Sequence, residues 1–148
     1  MSYRIHATNY QDRGKRPEGG ISHQVYGNNE FPTEVHDYLE DKGCKFDEDD
    51  CFYDFEITDI QEFLEAMLKA HEGYMENDTY WDFKPTRTIE TPEDLISHCW
   101  MKIELSYAFI VYNFYDTFRK EIKLVWDDEE KREKYILNEG CRIFLSGF

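Results

Sequence analysis

The chain has 148 residues, with 17 lysines and arginines against 32 aspartates and glutamates, and its formal net charge is −15. This charge disfavours nucleic acid and anionic membranes as direct partners and favours a basic protein partner, a basic ligand or a cation. The length predicts a single globular domain over residues 1–148, large enough to bury a core without a metal ion or a disulfide.

The residues after Met1 lack the apolar run of a signal peptide, and no stretch reaches the roughly 18 apolar residues of a membrane span. The sequence therefore predicts a cytoplasmic protein. Its four cysteines are expected to be reduced, and no two of them form a C-x-x-C pair: Cys44, Cys51, Cys99 and Cys141. We accordingly expect no metal site and no cofactor.

Alternating apolar and polar residues predict a strand in Tyr3–Tyr10 and a second strand in Ile21–Gly27. Residues 11–20 between them contain three glycines and one proline without periodicity, which predicts a loop. The loop is basic, but Gly14-Lys15 lacks the spacing of a phosphate-binding P-loop. We interpret it as a solvated loop.

Residues 31–43 predict a short helix that begins near Pro32 and ends at Gly43. Its inward face is expected to carry Val35, Tyr38 and Leu39. Residues 44–50 follow and are predicted to form a turn, here called the acidic turn. Residues 51–57 then alternate, which predicts a strand with four side chains on one face: Cys51, Tyr53, Phe55 and Ile57.

Thr58-Asp59-Ile60-Gln61 has the sequence of a capping box, in which the first and fourth side chains each accept a backbone N–H at the start of a helix. It predicts a helix that ends at Gly73. One face of this helix would carry Ile60, Phe63, Leu64, Met67, Leu68 and His71. Residues 77–85 are interpreted as a further strand, with Tyr80, Trp81 and Phe83.

The longest pattern lies in residues 91–126. Thr91-Pro92-Glu93-Asp94 is typical of a helix start. Apolar residues then recur in steps of four and three: Ile96, Trp100, Ile103, Tyr107, Ile110, Phe114 and Phe118. A rival alternation from Met101 to Tyr107 indicates a strand, but it covers only about seven residues, and length decides such cases. The sequence predicts one long central helix over about 92–118.

Trp126-Asp127-Asp128 predicts the cap of a short charged helix that continues through Leu137 and stops at Gly140. Residues 141–148 are apolar enough to dock as a strand or tail. Together the elements predict an α+β fold. In this architecture a small, mostly antiparallel sheet packs on three or four helices, with the helix over 92–118 at the centre.

Several residues suggest chemistry but lack its full pattern. His98 and Cys99 are neighbours, and adjacent helical positions point about 100° apart, so His98 is poorly placed to deprotonate the thiol. His6 and His23 would meet if their strands pair, but a zinc site needs a third ligand. The acidic run that begins at Asp47 lacks the glycine of a calcium-binding loop. A pair of carboxylates for glycoside hydrolysis stays an open possibility, because the distance between two carboxyl groups decides it and a sequence does not give that distance.

Residues 28–60 contain 12 acidic residues and only two lysines, a net charge of −10 out of −15. This concentration predicts a surface that binds a basic protein. The residues expected to make the contact are Asp47, Glu48, Asp49, Asp50, Asp54 and Glu56. The competing interpretation is a solvated acidic face that only keeps the protein soluble.

The primary hypothesis is an acidic protein-binding module that inhibits another protein by occupying its basic, nucleic-acid-binding surface. Phage counter-defence proteins act in this way as nucleic-acid mimics, an analogy of size and charge only. Two alternatives stay open: a small hydrolase or transferase with an unrecognised site, and a structural or assembly subunit. The sequence carries no catalytic signature, which favours a non-enzymatic role.

Overall fold

The computed structural model describes residues 3–12, 14–27, 32–77 and 108–148, and this part of the chain has an α+β fold. Its strands are β1 (Ile5–Thr8), β2 (Ser22–Tyr26), β3 (Phe52–Ile57), β4 (Ile122–Asp127), β5 (Arg132–Leu137) and β6 (Ile143–Gly147). Its helices are α1 (Thr33–Asp41), α2 (Ile60–Asn77) and α3 (Ala108–Thr117). None of these described helices is long and apolar enough to cross a membrane.

The larger sheet is antiparallel, with the strand order β2-β1-β6-β3. Its last strand in sequence, β6, is an inner strand that pairs with both β1 and β3. All five residues of β6 are buried. The prediction that residues 141–148 dock against the protein is therefore confirmed, and this segment forms the middle of the sheet.

β4 and β5 form a separate two-stranded sheet, so the helix predicted for this segment is wrong. Asp127 does accept hydrogen bonds from two backbone N–H groups, those of Glu129 at 2.9 Å and Glu130 at 3.0 Å. The bonds close a turn in which Lys131 has a φ of 55°. An aspartate oxygen satisfies nearby amides in a turn as well as at a helix start, so the capping signal did not distinguish the two structures.

The predicted architecture is also wrong in its central helix. The strands form two sheets rather than one, and α3 has ten residues, Ala108–Thr117. The longest helix in the described part of the chain is α2, with 18 residues. Residues 92–107 of the predicted helix lie outside the described residues. The strand predicted over 77–85 starts on Asn77, the last residue of α2, and the rest of it also lies outside them.

One hydrophobic core joins the inner face of the larger sheet to the three helices. At its centre the ring of Phe63 on α2 lies 5.2 Å from Phe114 of α3 and 5.9 Å from Tyr38 of α1, measured between centroids. Phe114 and Phe118 are both fully buried, as the apolar stripe predicted. The buried face of α2 includes Ile60, Phe63, Leu64 and Met67.

At the start of β3 the side chains point to the opposite faces of the sheet from those predicted. Phe52 is buried, whereas Tyr53, predicted to face inward, is 45% exposed. The pairing register with β6 shifts between Phe52 and Phe55, and Asp54 within the shift has a φ of 48°. An extra residue in a strand exchanges the inner and outer faces beyond it, which explains the reversal.

The ends of α1 and α2 show which local signals are specific. Gly43 has a φ of 87° and follows α1, as predicted for a glycine that ends a helix. At the start of α2, the N–H of Glu62 donates to Asp59 Oδ1 at 3.0 Å, so Asp59 is the capping residue rather than Thr58. α2 also continues four residues past Gly73 to Asn77.

Candidate functional site: an acidic surface on α1 and the following turn

The backbone of the acidic turn is held by the side chain of Asp47. Asp47 Oδ1 accepts hydrogen bonds from the N–H groups of Asp49 at 2.8 Å and Cys51 at 2.9 Å. Asp50 has a φ of 59°, a conformation that aspartate and asparagine adopt more readily than most residues. Asp47 therefore shapes the turn, and the side chains of Glu48, Asp49 and Asp50 remain exposed on it.

The acidic turn is also fixed to the rest of the fold. The hydroxyl of Tyr3 donates to the carbonyl oxygen of Asp50 at 2.7 Å. Burial, followed by nearby negative groups, raises the pKa of Tyr3, so its hydroxyl keeps the proton that it donates. Phe46 stacks on His36 of α1 with 4.6 Å between ring centroids and packs edge-on against Phe52 of β3 at 5.3 Å. The turn is thus a defined surface.

Asp54 and Glu56, the other two predicted contact residues, take part in the fold. Asp54 Oδ1 accepts the backbone N–H of Asp12, and the Asp54 N–H donates to Ser146 Oγ, both at 2.9 Å. Glu56 forms a bidentate ion pair with Arg142, with 2.7 Å between Nη2 and Oε2. The hydrogen bonds from Arg142 lower the pKa of Glu56. The structure thus gives both carboxylates intramolecular partners.

We expect Glu56→Gln to lower the free energy of unfolding slightly at about pH 7 and to have no effect near pH 2. The pKa of Glu56 is lower in the folded protein than in the unfolded chain. Its ion pair therefore stabilises the fold above the ordinary Glu pKa of about 4.3 and is lost as the pH falls through the lower folded value. The effect is small because the Glu56 side chain is 32% exposed.

Urea unfolding at the two pH values tests this expectation. Glu139→Gln is the matched control, since it changes the same charge on an exposed side chain. An equal loss of stability at both pH values for Glu56→Gln would show that Glu56 acts through packing rather than through its charge.

α1 places further carboxylates beside the acidic turn, because the stacking of His36 on Phe46 joins the helix to the turn. The term acidic surface is used here for the eight exposed acidic residues of the two segments: Glu34, Asp37, Glu40, Asp41, Asp47, Glu48, Asp49 and Asp50. The predicted contact residues omitted the four on α1. The helical pattern that buries Val35 and Leu39 already places intervening polar residues outward, so the sequence carried this signal.

Six described carboxylates outside the acidic surface are compensated by a lysine or an arginine. Their salt bridges are Glu62 with Lys42, Glu65 with Arg132, Asp116 with Arg119, Asp127 and Glu130 with Lys134, and Glu56 with Arg142. Among the described residues, no lysine or arginine forms a salt bridge with the acidic surface. Even Lys42, which follows α1 directly, pairs with Glu62 on α2 at 2.7 Å. The negative charge of this surface is concentrated, and no described lysine or arginine pairs with it.

Two described thiols, those of Cys44 and Cys51, lack the environment of a nucleophile. Cys44 is buried, and burial raises its pKa to about 11. Burial and the neighbouring carboxylates, Asp47 first, also raise the pKa of Cys51. A thiolate needs a lowered pKa, so neither cysteine is activated. His98 and Cys99, the pair considered in the sequence, lie outside the described residues.

β1 and β2 pair and bring His6 and His23 to neighbouring positions. His6 lies opposite Gln24, and His23 lies opposite Ala7. Burial, and then the proximity of His6, lowers the pKa of His23 and favours its neutral form. Within the described ranges, no third histidine, cysteine or carboxylate completes a ligand set around these two side chains.

A cleft of about 340 Å³ lies between the loop after β1 and the segment before β6. Its described lining residues are Asn9, Tyr10, Gln11, Glu121, Gly140, Cys141, Arg142 and Phe144. They include a thiol and a carboxylate, but no histidine is present among those described to activate the thiol. The cleft therefore adds no support to an enzymatic role.

No family model matches the chain, and no similar protein was found among curated proteins or among solved structures. A functional argument must therefore come from the geometry and charge of this chain itself. The acidic surface combines exposure, concentrated charge and a fixed backbone, and it is the strongest candidate site in the described part of the chain.

Proposed function

We propose that the protein is a cytoplasmic, acidic protein-binding module whose acidic surface occupies a basic, nucleic-acid-binding surface of another protein. One observation carries this proposal: eight exposed carboxylates on α1 and the acidic turn form no salt bridge with a described lysine or arginine. Carboxylates held together in this way repel one another. A partner that brings lysines and arginines to them relieves the repulsion and gains electrostatic attraction.

The local charge density of the acidic surface supports the proposal that this surface competes with nucleic acid for a basic protein. The exposed area is 9507 Å², so a net charge of −15 spread evenly gives only one charge per roughly 630 Å². B-DNA is far denser, with one charge per about 1.7 Å of helix axis. The acidic surface places eight carboxylates within residues 34–50, opposed by Lys42 and Lys45 alone. Only a cluster of this kind resembles a phosphate backbone.

The proposal is tested with a triple variant of the acidic turn, Glu48→Gln with Asp49→Asn and Asp50→Asn. Asp47 is left unchanged because its side chain shapes the backbone, and asparagine tolerates the φ of 59° at position 50. The matched control neutralises three exposed carboxylates that lie outside the acidic surface: Glu129→Gln, Glu133→Gln and Glu139→Gln. Both variants change the net charge equally.

Binding to a panel of purified DNA- and RNA-binding proteins is measured by biolayer interferometry at several salt concentrations. We expect at least one basic protein to bind, with an affinity that falls steeply as the salt concentration rises. Duplex DNA should compete with the protein for this binding. The turn variant should bind at least about tenfold more weakly, whereas the control should stay near the parent. Equal binding by both variants would remove the acidic turn from the interaction. Failure of every basic protein to bind would refute the proposal and favour the enzymatic alternative.

A further inference from the structure

One part of α1 differs from the rest of the acidic surface because it contains an imidazole. His36 Nδ1 lies 3.8 Å from Asp37 Oδ1 and 3.7 Å from Glu40 Oε2. One ligand atom from each of the three side chains lies within 4.8 Å of the other two. His36 and Glu40 are four residues apart and so share a face of the helix. Among the described residues this is the only such group of three metal-ligating side chains.

The imidazole ring is held in this orientation by the fold. His36 stacks on Phe46 with 21° between the ring planes, and Phe46 packs against the buried Phe52. The His36 side chain is 31% exposed, whereas the two carboxylates are more exposed and free to adjust. A ligand group whose orientation is set beforehand loses less entropy when it binds an ion.

The distances from the imidazole to the two carboxylates are longer than a hydrogen bond and slightly longer than the spacing of two ligands around one ion. Separations of 3.7 and 3.8 Å between nitrogen and oxygen exceed those of hydrogen bonds. Two ligand atoms about 2.0–2.1 Å from one tetrahedral zinc ion are roughly 3.4 Å apart. The Asp37 and Glu40 side chains are each 66% exposed, so they have room to rotate towards a common ion.

We propose that His36, Asp37 and Glu40 form a binding site for a divalent transition-metal ion, with Zn²⁺ as the best fit. An imidazole nitrogen with two carboxylate oxygens suits zinc, whereas Ca²⁺ and Mg²⁺ prefer oxygen ligands alone. Three protein ligands leave one tetrahedral position for water. The site requires neither a partner protein nor the proposed function of the acidic surface.

The proposal is tested by NMR and calorimetry in a background that carries Cys51→Ser and Cys141→Ser, which removes two thiols that are not fully buried. During titration of the ¹⁵N-labelled protein with Zn²⁺, we expect amide shifts centred on residues 34–41 and around Phe46. Mg²⁺ at the same concentration should leave these amides unchanged. Zinc shifts spread evenly over all acidic residues, or no shifts at all, would overturn the proposal.

Calorimetry then separates a ligand set from general attraction to negative charge. His36→Gln and Glu40→Gln should each weaken Zn²⁺ binding by about tenfold or more. Glu34→Gln is the matched control, since it removes an exposed carboxylate of the same helix outside the group of three. The control should stay within about twofold of the parent. Equal weakening by Glu34→Gln and Glu40→Gln would show a counterion effect and refute the site.

Discussion

Phe63→Ala is expected to lower the free energy of unfolding by about 3–5 kcal/mol, because it removes a large buried ring and leaves a cavity. Phe63 is fully buried and contacts Tyr38 of α1 and Phe114 of α3. The three helices therefore meet at this one ring. Since domains are typically stable by about 5–15 kcal/mol, the substitution would remove a large share of the total.

Urea unfolding followed by circular dichroism measures this loss, and Leu124→Ala is its control. Leu124 is 45% exposed on β4, so its truncation should cost no more than about 0.5 kcal/mol. A loss below about 1 kcal/mol for Phe63→Ala would show that the ring is not part of a tightly packed centre. The arrangement of α1, α2 and α3 around it would then be incorrect.

The elements that the sequence predicted well are those with a local cause. β1 and β2 follow from alternating residues, and α1 follows from its apolar spacing and from Gly43, whose φ of 87° few other residues adopt. The burial of Phe114 and Phe118 likewise follows from helical spacing. In each case the pattern is short and needs no knowledge of what packs against it.

The errors arise where distant residues decide the structure. The bulge that turns Tyr53 outward is stabilised by a hydrogen bond from the Asp54 N–H to Ser146, which is 92 residues away. The hairpin of β4 and β5 depends on pairing between two segments, and the capping pattern at Asp127 suits a turn as well as a helix. Local periodicity contains neither kind of information.

The candidate site was predicted only in part, again because residues distant in the sequence decide which acidic side chains have partners. The charge of residues 28–60 is visible in the sequence, and so is the turn that carries Glu48, Asp49 and Asp50. The sequence does not show that Asp54 bonds to Asp12 or that Glu56 pairs with Arg142, because those partners are 42 and 86 residues away. Structure alone separates the acids that build the fold from those that remain available to a partner.

Gln61 provides the clearest case of a residue whose role differs from its sequence pattern. The N–H of Asn138 donates to the carbonyl of Glu121 at 2.8 Å, so these two residues form a hydrogen-bonded pair. Along an antiparallel hairpin, hydrogen-bonded pairs alternate with pairs whose N–H and C=O groups point away from the partner strand. Tyr135 lies opposite Leu124, three residues from that pair, so its N–H points away from β4. Gln61 Oε1 on α2 accepts this N–H at 2.9 Å. The side chain that resembled part of a helix cap therefore attaches the hairpin to α2.

Gln61→Met is expected to lower the free energy of unfolding by about 1–3 kcal/mol, because it keeps the length of the side chain but removes the acceptor of a buried amide. Gln61 is 7% exposed, so water does not readily replace the lost oxygen. Urea unfolding measures the loss, and hydrogen exchange of the Tyr135 amide, followed by NMR, should become faster. Gln24→Met on the exposed side of β2 is the control and should change neither quantity appreciably. A loss below about 0.5 kcal/mol with unchanged exchange at Tyr135 would show that apolar contacts alone attach the hairpin to α2.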